Sequence, residues 1–426
     1  MKKIILSGVL ALLGLGLFAQ DIKKVNTYLK AQQLDKAKTE IDAFVTRNPS
    51  NAEGYYTKAK VYGAIAANKQ FSQLDPQARA TAFEAFKKAI ETDTENKLLV
   101  LLIQDQYSPI FNLYVNGSET AAQLFNDAAS ANNKAGFNDA MNMYLQTNEI
   151  GRYINSKKYA TLGEIDTPVV LNIMRSALYA DNKPTTLMYA KILADAGIHS
   201  YRSDVAGYDL AYKYLASNYA QAKDESNLMK YETEGKKYFP NDPFFDDLLI
   251  EYYADVKNYK SLFTAYDQAI TKHPDSTKYH LQYASDLLQA IYNEGTSNTD
   301  KVAYRPKFES EIGLVMKADP GNIDANQLSG HYYYNTGADL QNEAKSIADA
   351  PKKAEKNRLA KESVKKSIPY FEKVIAYYET GNKKADRSKY KTMLNTMQDL
   401  YNYFGDKAQE NKYQQKYDAA DSRFVK

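Results

Sequence analysis

The 426-residue sequence has no cysteine and no tryptophan. Without cysteine there is no disulfide framework, no thiolate nucleophile or metal ligand, and no residue to carry a lipid after an export signal. Histidine is scarce: His199, His280 and His331 lie far apart, and His273 adjoins Pro274 as an expected helix-end residue. No H-E-x-x-H pair places two imidazoles on one helical face, so a metal site has no support. Phosphate-cradling glycine loops and the G-x-S-x-G elbow are missing, since Gly14-Leu15-Gly16 falls within an apolar leader. S-x-x-K occurs at Ser363–Lys366 and Ser388–Lys391, but S-D-N and K-T-G do not accompany it. Nor is there a charge excess: 55 Lys and Arg stand against 52 Asp and Glu. A net charge of +3 gives no basic field for nucleic acid or an anionic membrane. Proline (12) and glycine (19) are sparse and fall between long helix-forming runs, which implies helices joined by short turns.

The N-terminus reads as a unit of its own. A Met1-Lys2-Lys3 start precedes an apolar run from Ile4 to Phe18, and Leu17-Phe18-Ala19 closes it. That run is shorter than the ~20 residues a spanning helix needs. Polar Asp21-Ile22-Lys23-Lys24 follows at once. We expect a signal peptide over 1–19, cleaved between Ala19 and Gln20, and a periplasmic or secreted mature chain with no transmembrane segment.

The sparse prolines have a register. Pro274 falls 34 residues after Pro240. Counted from Pro49, Pro240, Pro274 and Pro320, the tenth residue on is Ala59, Ile250, Ala284 or Gly330, and the thirteenth Tyr62, Tyr253, Leu287 or Tyr333. Twelve before stand Ala37, Leu228, Leu262 and Phe308; five before stand Phe44, Gly235, Ala269 and Val315. Small residues let two helices approach, aromatics cover the seam, and the proline ends the second helix.

These residues resemble the tetratricopeptide repeat, a helix–turn–helix unit of 34 residues with a terminal proline. The clearest unit runs from Pro243 to Pro274, and upstream Tyr212, Leu215, Ala216 and Tyr219 hold matching places. Asp246 and His280 depart from the family at its first aromatic position, and Ile250 at its small one. The resemblance implies an all-α, right-handed superhelical solenoid of antiparallel hairpins. We divide the mature chain into repeats over 20–103, a degenerate or irregular helical block over 104–207, and repeats over 208–335. A lysine-rich helical insertion over 336–366 and capping hairpins over 367–426 complete it. NGSET, SANNKAGFN and ADNKPTT read as turns of the irregular block. Stretched proline spacings predict longer helices between Pro49 and Thr94 and between Pro274 and Pro320. In PNDPFFDD, Asp242 is expected to cap a helix, with Asp246 and Asp247 at its positive pole rather than on calcium.

By the same resemblance, the first helix of each hairpin lines a concave face. Positions seven and eleven past each proline are Tyr56 and Lys60, Asp247 and Glu251, Leu281 and Ser285, Gln327 and His331. Acids and neutral groups there do not suit the family's lysine–asparagine clamp for a terminal carboxylate. With Tyr334 they form a candidate groove for an extended partner segment. A second candidate surface is the run Lys352 to Lys366, where Lys353, Lys356 and Lys361 could meet an acidic partner. The expected function is a non-catalytic scaffold for protein partners in the bacterial envelope, with no cofactor and no metal. The alternative is a carbohydrate-binding or sugar-processing protein whose abundant tyrosines (37) act as sugar platforms.

Overall fold

The computed structural model describes residues 21–160, 162–381 and 383–424. The expected signal peptide and its cleavage point lie outside them. The chain divides into two compact units at Asp242 and Pro243. The first holds α1 (21–30), α2 (Leu34–Arg47), α3 (Ala52–Ala67), α4 (Ala78–Thr92), α5 (Leu98–Gln104), α6 (Ser108–Ala131) and α7 (Lys134–Ser156). It continues through α8 (Thr167–Tyr179), α9 (Lys183–Asp195), α10 (Asp209–Gln221) and α11 (Glu225–Tyr238). The second holds α12 (Phe244–Asp255), α13 (Tyr259–Lys272), α14 (Thr277–Tyr292), α15 (Asn298–Ala318), α16 (Ile323–Lys345), α17 (Ala350–Gly381), α18 (Arg387–Phe404) and α19 (Lys407–Arg423). Among the described residues there is no strand, only an isolated Tyr201–Asp204 bridge. The fold is an all-α stack of sequential hairpins.

One turn builds most of the hairpins. Gln32, Asn132, Asp181, Lys223, Lys257 and Gly405 adopt positive φ, between 48° and 73°. In each case the N–H of the following residue donates to the carbonyl five positions back, as in Asp224 to Tyr219 and Asn258 to Tyr253. This closes the first helix by a Schellman arrangement. That following residue, Asn133, Asn182, Asp224, Asn258 or Asp406, then accepts from a backbone N–H of the next helix and caps it. The residues 104–207 therefore contain two regular hairpins, α6–α7 and α8–α9, made with this same turn. SANNKAGFN and ADNKPTT are two of these turns. NGSET is not a turn: it lies inside α6, where Gly117 lets the helix approach Thr147 of α7.

The other turn is the proline's. α2, α11, α13 and α15 each end two residues before Pro49, Pro240, Pro274 and Pro320. Fifteen of the sixteen residues counted from those prolines are buried, and Tyr333 is half-buried. Beside it, Tyr332 is only 3% exposed and packs on Phe308 at 4.5 Å. The α16 seam residue is thus Tyr332, one position before the expected one.

Six residues past Pro240, Pro274 and Pro320, where the sequence departs from the resemblance, stand the polar residues Asp246, His280 and Asn326, and all three are buried. Asp246 takes the Lys272 ammonium at 2.9 Å. His280 is held between the Glu311 carboxylate and the Pro274 carbonyl, and Asn326 donates to the Pro320 carbonyl at 3.1 Å. His280 and Asn326 thus satisfy a carbonyl that the proline turn leaves without a helical partner.

The remaining expectations fare differently. Between Pro49 and Thr94 both helices are longer than those of α12–α13, 16 and 15 residues against 12 and 14, and a short 3-10 segment, Lys69–Leu74, takes up the rest. Between Pro274 and Pro320 both are longer as well, α14 with 16 residues and α15 with 21. The 336–366 stretch is not a separate insertion. It is the far end of α16 and the near part of α17, joined around Ser346–Asp349, so the repeat's own helices are extended. Pro243, not Asp242, holds the cap position of α12, while Asp242 pairs with Lys213 at 2.5 Å. Finally, no described helix is long and apolar enough to cross a membrane.

Candidate functional site

The two units treat the expected groove positions differently. In the first, Tyr56 is 2% exposed and its hydroxyl donates to Asp105 at 2.9 Å. Lys60 reaches the same carboxylate at 2.9 Å. Burial, then the Asp105 bond, raise the Tyr56 phenol far above its ordinary value. Burial also opposes ionisation of Asp105, but the bonds from Lys60 and Tyr56 outweigh it and hold that carboxyl low. Asp105 follows α5, so a later stretch of the chain occupies these positions. Tyr56 and Lys60 are structural partners there, not an open face.

In the second unit the positions stay open. Asp247 and Glu251 of α12 line a hollow of about 380 Å³ with Lys278, Gln282 and Asp286 of α14. Gln327 and His331 of α16 line a neighbouring hollow of about 370 Å³ with Leu281 and Leu328. Gln282 and Ser285 border both, so the two form one trough along the first helices of three successive hairpins. Tyr334 is not brought in: it packs against the cluster of Phe371, Ile375 and Leu394.

The electrostatics of the trough are uneven. Lys278 pairs with Asp247 at 2.9 Å. Asp286 receives the Tyr266 hydroxyl at 2.6 Å, yet burial outweighs that bond and raises its carboxyl above the usual range. Glu251 is exposed. Three acids against one lysine leave this end of the trough acidic. At the other end His331 meets the Phe371 ring edge-on at 5.2 Å, and burial lowers its pKa. Asp286 lies one residue outside the positions counted from the prolines, and its hydrogen-bond partner, Tyr266, belongs to the preceding hairpin. No local pattern marks it.

The lysine-rich stretch is partly neutralised. Lys356 pairs with Glu343 at 2.6 Å, and Arg358 holds Glu355 at 2.6 Å and also Glu362. Lys353 and Lys361 are exposed and make no ion pair among the described residues. Lys356 therefore fastens α17 to α16, leaving Lys353 and Lys361 as the outward charges. No described group of His, Asp and Glu could hold a metal ion.

No protein-family model and no curated protein matches the chain. Among solved structures, a circular tandem repeat protein with novel repeat topology and enhanced subunit contact surfaces matches 96% of this chain and 95% of its own. The identity is 12% and the TM-score 0.22, too low to bear on the trough. The helices and their recurrent turns make the chain a helical repeat protein.

Proposed function

We propose that the chain is an exported, non-catalytic scaffold of the tetratricopeptide type, and that the trough along α12, α14 and α16 receives an extended segment of a protein partner. The observation behind this is the continuity of the two hollows across three hairpins, a length no single repeat supplies. Helical backbones offer no free edge for strand addition, so side chains must do the holding. The acidic end calls for a lysine or arginine of the partner, and Leu281 with Leu328 for an apolar side chain.

Lys353 and Lys361 form a second surface for an acidic segment of a partner. Export rests on the leader sequence; intact mass of protein from the native host should show a chain beginning at Gln20, and retention of Met1 would contradict it. For the trough, a photo-crosslinker is placed at Glu251 or Gln327 in the native cell. The same partner should be trapped from both positions, and trapping from Gln327 should be lost on Asp247→Lys with Glu251→Lys. Trapping that ignores those charges would remove the trough from the mechanism.

A further inference from the structure

A third hollow lies elsewhere on the α16–α17 hairpin, with different chemistry. Tyr333, Lys366, Tyr370 and Lys373 line a space of about 470 Å³, within the usual range for small-ligand sites. Tyr333 stands two residues beyond His331. At about 100° per residue this turns it to the opposite side of α16 from the trough. The Tyr333 and Tyr370 rings stack at 5.7 Å with 15° between their planes. Both are half-buried, so they form a fixed stacked pair, an apolar wall that offers an outer ring face and the ring edges rather than two mobile side chains. The charged residues that line the hollow are both lysines. Lys366 lies 5.7 Å from the centre of the Tyr333 ring, and Lys373 gives one proton to the Pro320 carbonyl at 3.3 Å. Neither lysine pairs with an acid among the described residues, and no carboxylate lines the hollow.

We propose that this hollow binds an anionic saccharide: a sugar ring lies on the tyrosine wall while Lys366 and Lys373 take its carboxylate groups. Two features favour this ligand over an acidic peptide. The outer face of the stacked tyrosine pair matches a pyranose ring, whereas a peptide carboxylate needs only the charges. The cations are lysines, point charges suited to single carboxylates spaced along a chain, and Arg358 is already engaged by Glu355 and Glu362. A phosphate ligand fits less well, since the hollow is built on helix interiors whose N–H groups are internally bonded. Glycoside cleavage needs a pair of carboxylates across the bond, so the lining supports binding and not hydrolysis.

The test titrates the full-length protein with a galacturonate oligosaccharide, a neutral galactose oligosaccharide of equal length, and polyglutamate of equal charge. Galacturonate should bind, and both others should bind at least tenfold more weakly. Tyr370→Ala should lower galacturonate affinity by about tenfold or more, whereas Tyr370→Phe, which keeps the ring, should stay close to wild type. Lys366→Gln with Lys373→Gln should weaken binding and flatten its salt dependence. Helical circular dichroism and melting of each variant establish that the hairpin is intact. Absence of saturable galacturonate binding would overturn the proposal. So would polyglutamate binding as tightly with Tyr370→Ala without effect, which would make the hollow a plain acidic-peptide surface.

Discussion

Tyr56 and Lys60 stand at the same repeat positions as Asp247 and Glu251, yet the first pair is closed over and the second is open. In the first unit a short helix, α5, delivers Asp105 onto both side chains. In the second, α12 is followed by regular hairpins, and the space beside it remains a trough. A repeat position sets which way a side chain points. What it meets there is set by the next stretch of chain. Binding capacity in a repeat array is therefore a property of continuity: three regular hairpins in succession make a trough, and one interruption fills it.

The largest test of that contrast is Tyr56→Ala. Removing a fully buried ring that packs on Phe86 at 6.1 Å, together with its bond to Asp105, should cost about 3–5 kcal/mol. Glu251→Ala, at the open equivalent, should stay within about 0.5 kcal/mol. Denaturant midpoints of the two variants decide the matter. Equal losses would mean that the two positions are not different after all.

What the sequence made legible follows from how local each signal is. The proline register is local: Ala59, Ala284 and Gly330 must be small because a helix passes close by, and that requirement can be read at one residue. Two of the hairpin turns, SANNKAGFN with Asn132 and ADNKPTT with Asp181, could be read from their composition, but others were harder to see because their positive-φ position is held by Gln32, Lys223 or Lys257. Lysine and glutamine reach that conformation under the pull of two good helices and leave no compositional mark. NGSET misled for the converse reason. Its glycine and asparagine suggest a turn, but Gly117 serves close packing within a helix. The trough was half legible: Asp247, Glu251, Gln327 and His331 belong to it. Tyr56 and Tyr334 do not, because tertiary partners distant in sequence cover them.

The second test concerns what the units share. A Cβ on Gly54 would stand 2.6 Å from the Phe44 ring, and one on Gly330 the same distance from Phe371. Each glycine lets a first helix close onto an aromatic of a second helix. Gly54→Ala and Gly330→Ala should each cost about 1–3 kcal/mol by overpacking. Gly313→Ala in α15, where a Cβ meets nothing within 4 Å, should instead stabilise by about 0.5–1 kcal/mol. Melting temperatures rank the three. A stable Gly330→Ala variant would show that the α16–α17 hairpin is loosely packed.

A smaller effect is expected on binding at the trough. Neutralising Glu251 and Asp286 as Gln and Asn should weaken capture of a basic partner segment by about tenfold, ~1.4 kcal/mol, at low salt. The loss should shrink as salt screens the exposed Glu251. Lys60→Gln in the closed unit should leave capture unchanged. An equal loss from Lys60→Gln would place the partner on the first unit and break the contrast.

The smallest effect separates the units by pH. Burial lowers the His331 pKa from the ordinary 6.5, so the folded chain favours the neutral imidazole while the unfolded chain takes up a proton more readily. The stability His331 contributes is present above pH 6.5 and is lost as pH falls through its lowered folded value. Asp105 has the same sign in a different window. Its carboxyl is held below the ordinary 3.8, so its contribution survives until pH falls under that value. Across pH 7.5 to 5 the second unit should soften while the Asp105 triad does not. Unfolding followed by urea should show the wild-type advantage over His331→Gln shrinking across that interval. The difference between wild type and Lys60→Gln should hold constant over the same range. A His331→Gln difference that is flat with pH would mean that the imidazole is well solvated, and the second hollow then has no dry end for an apolar side chain.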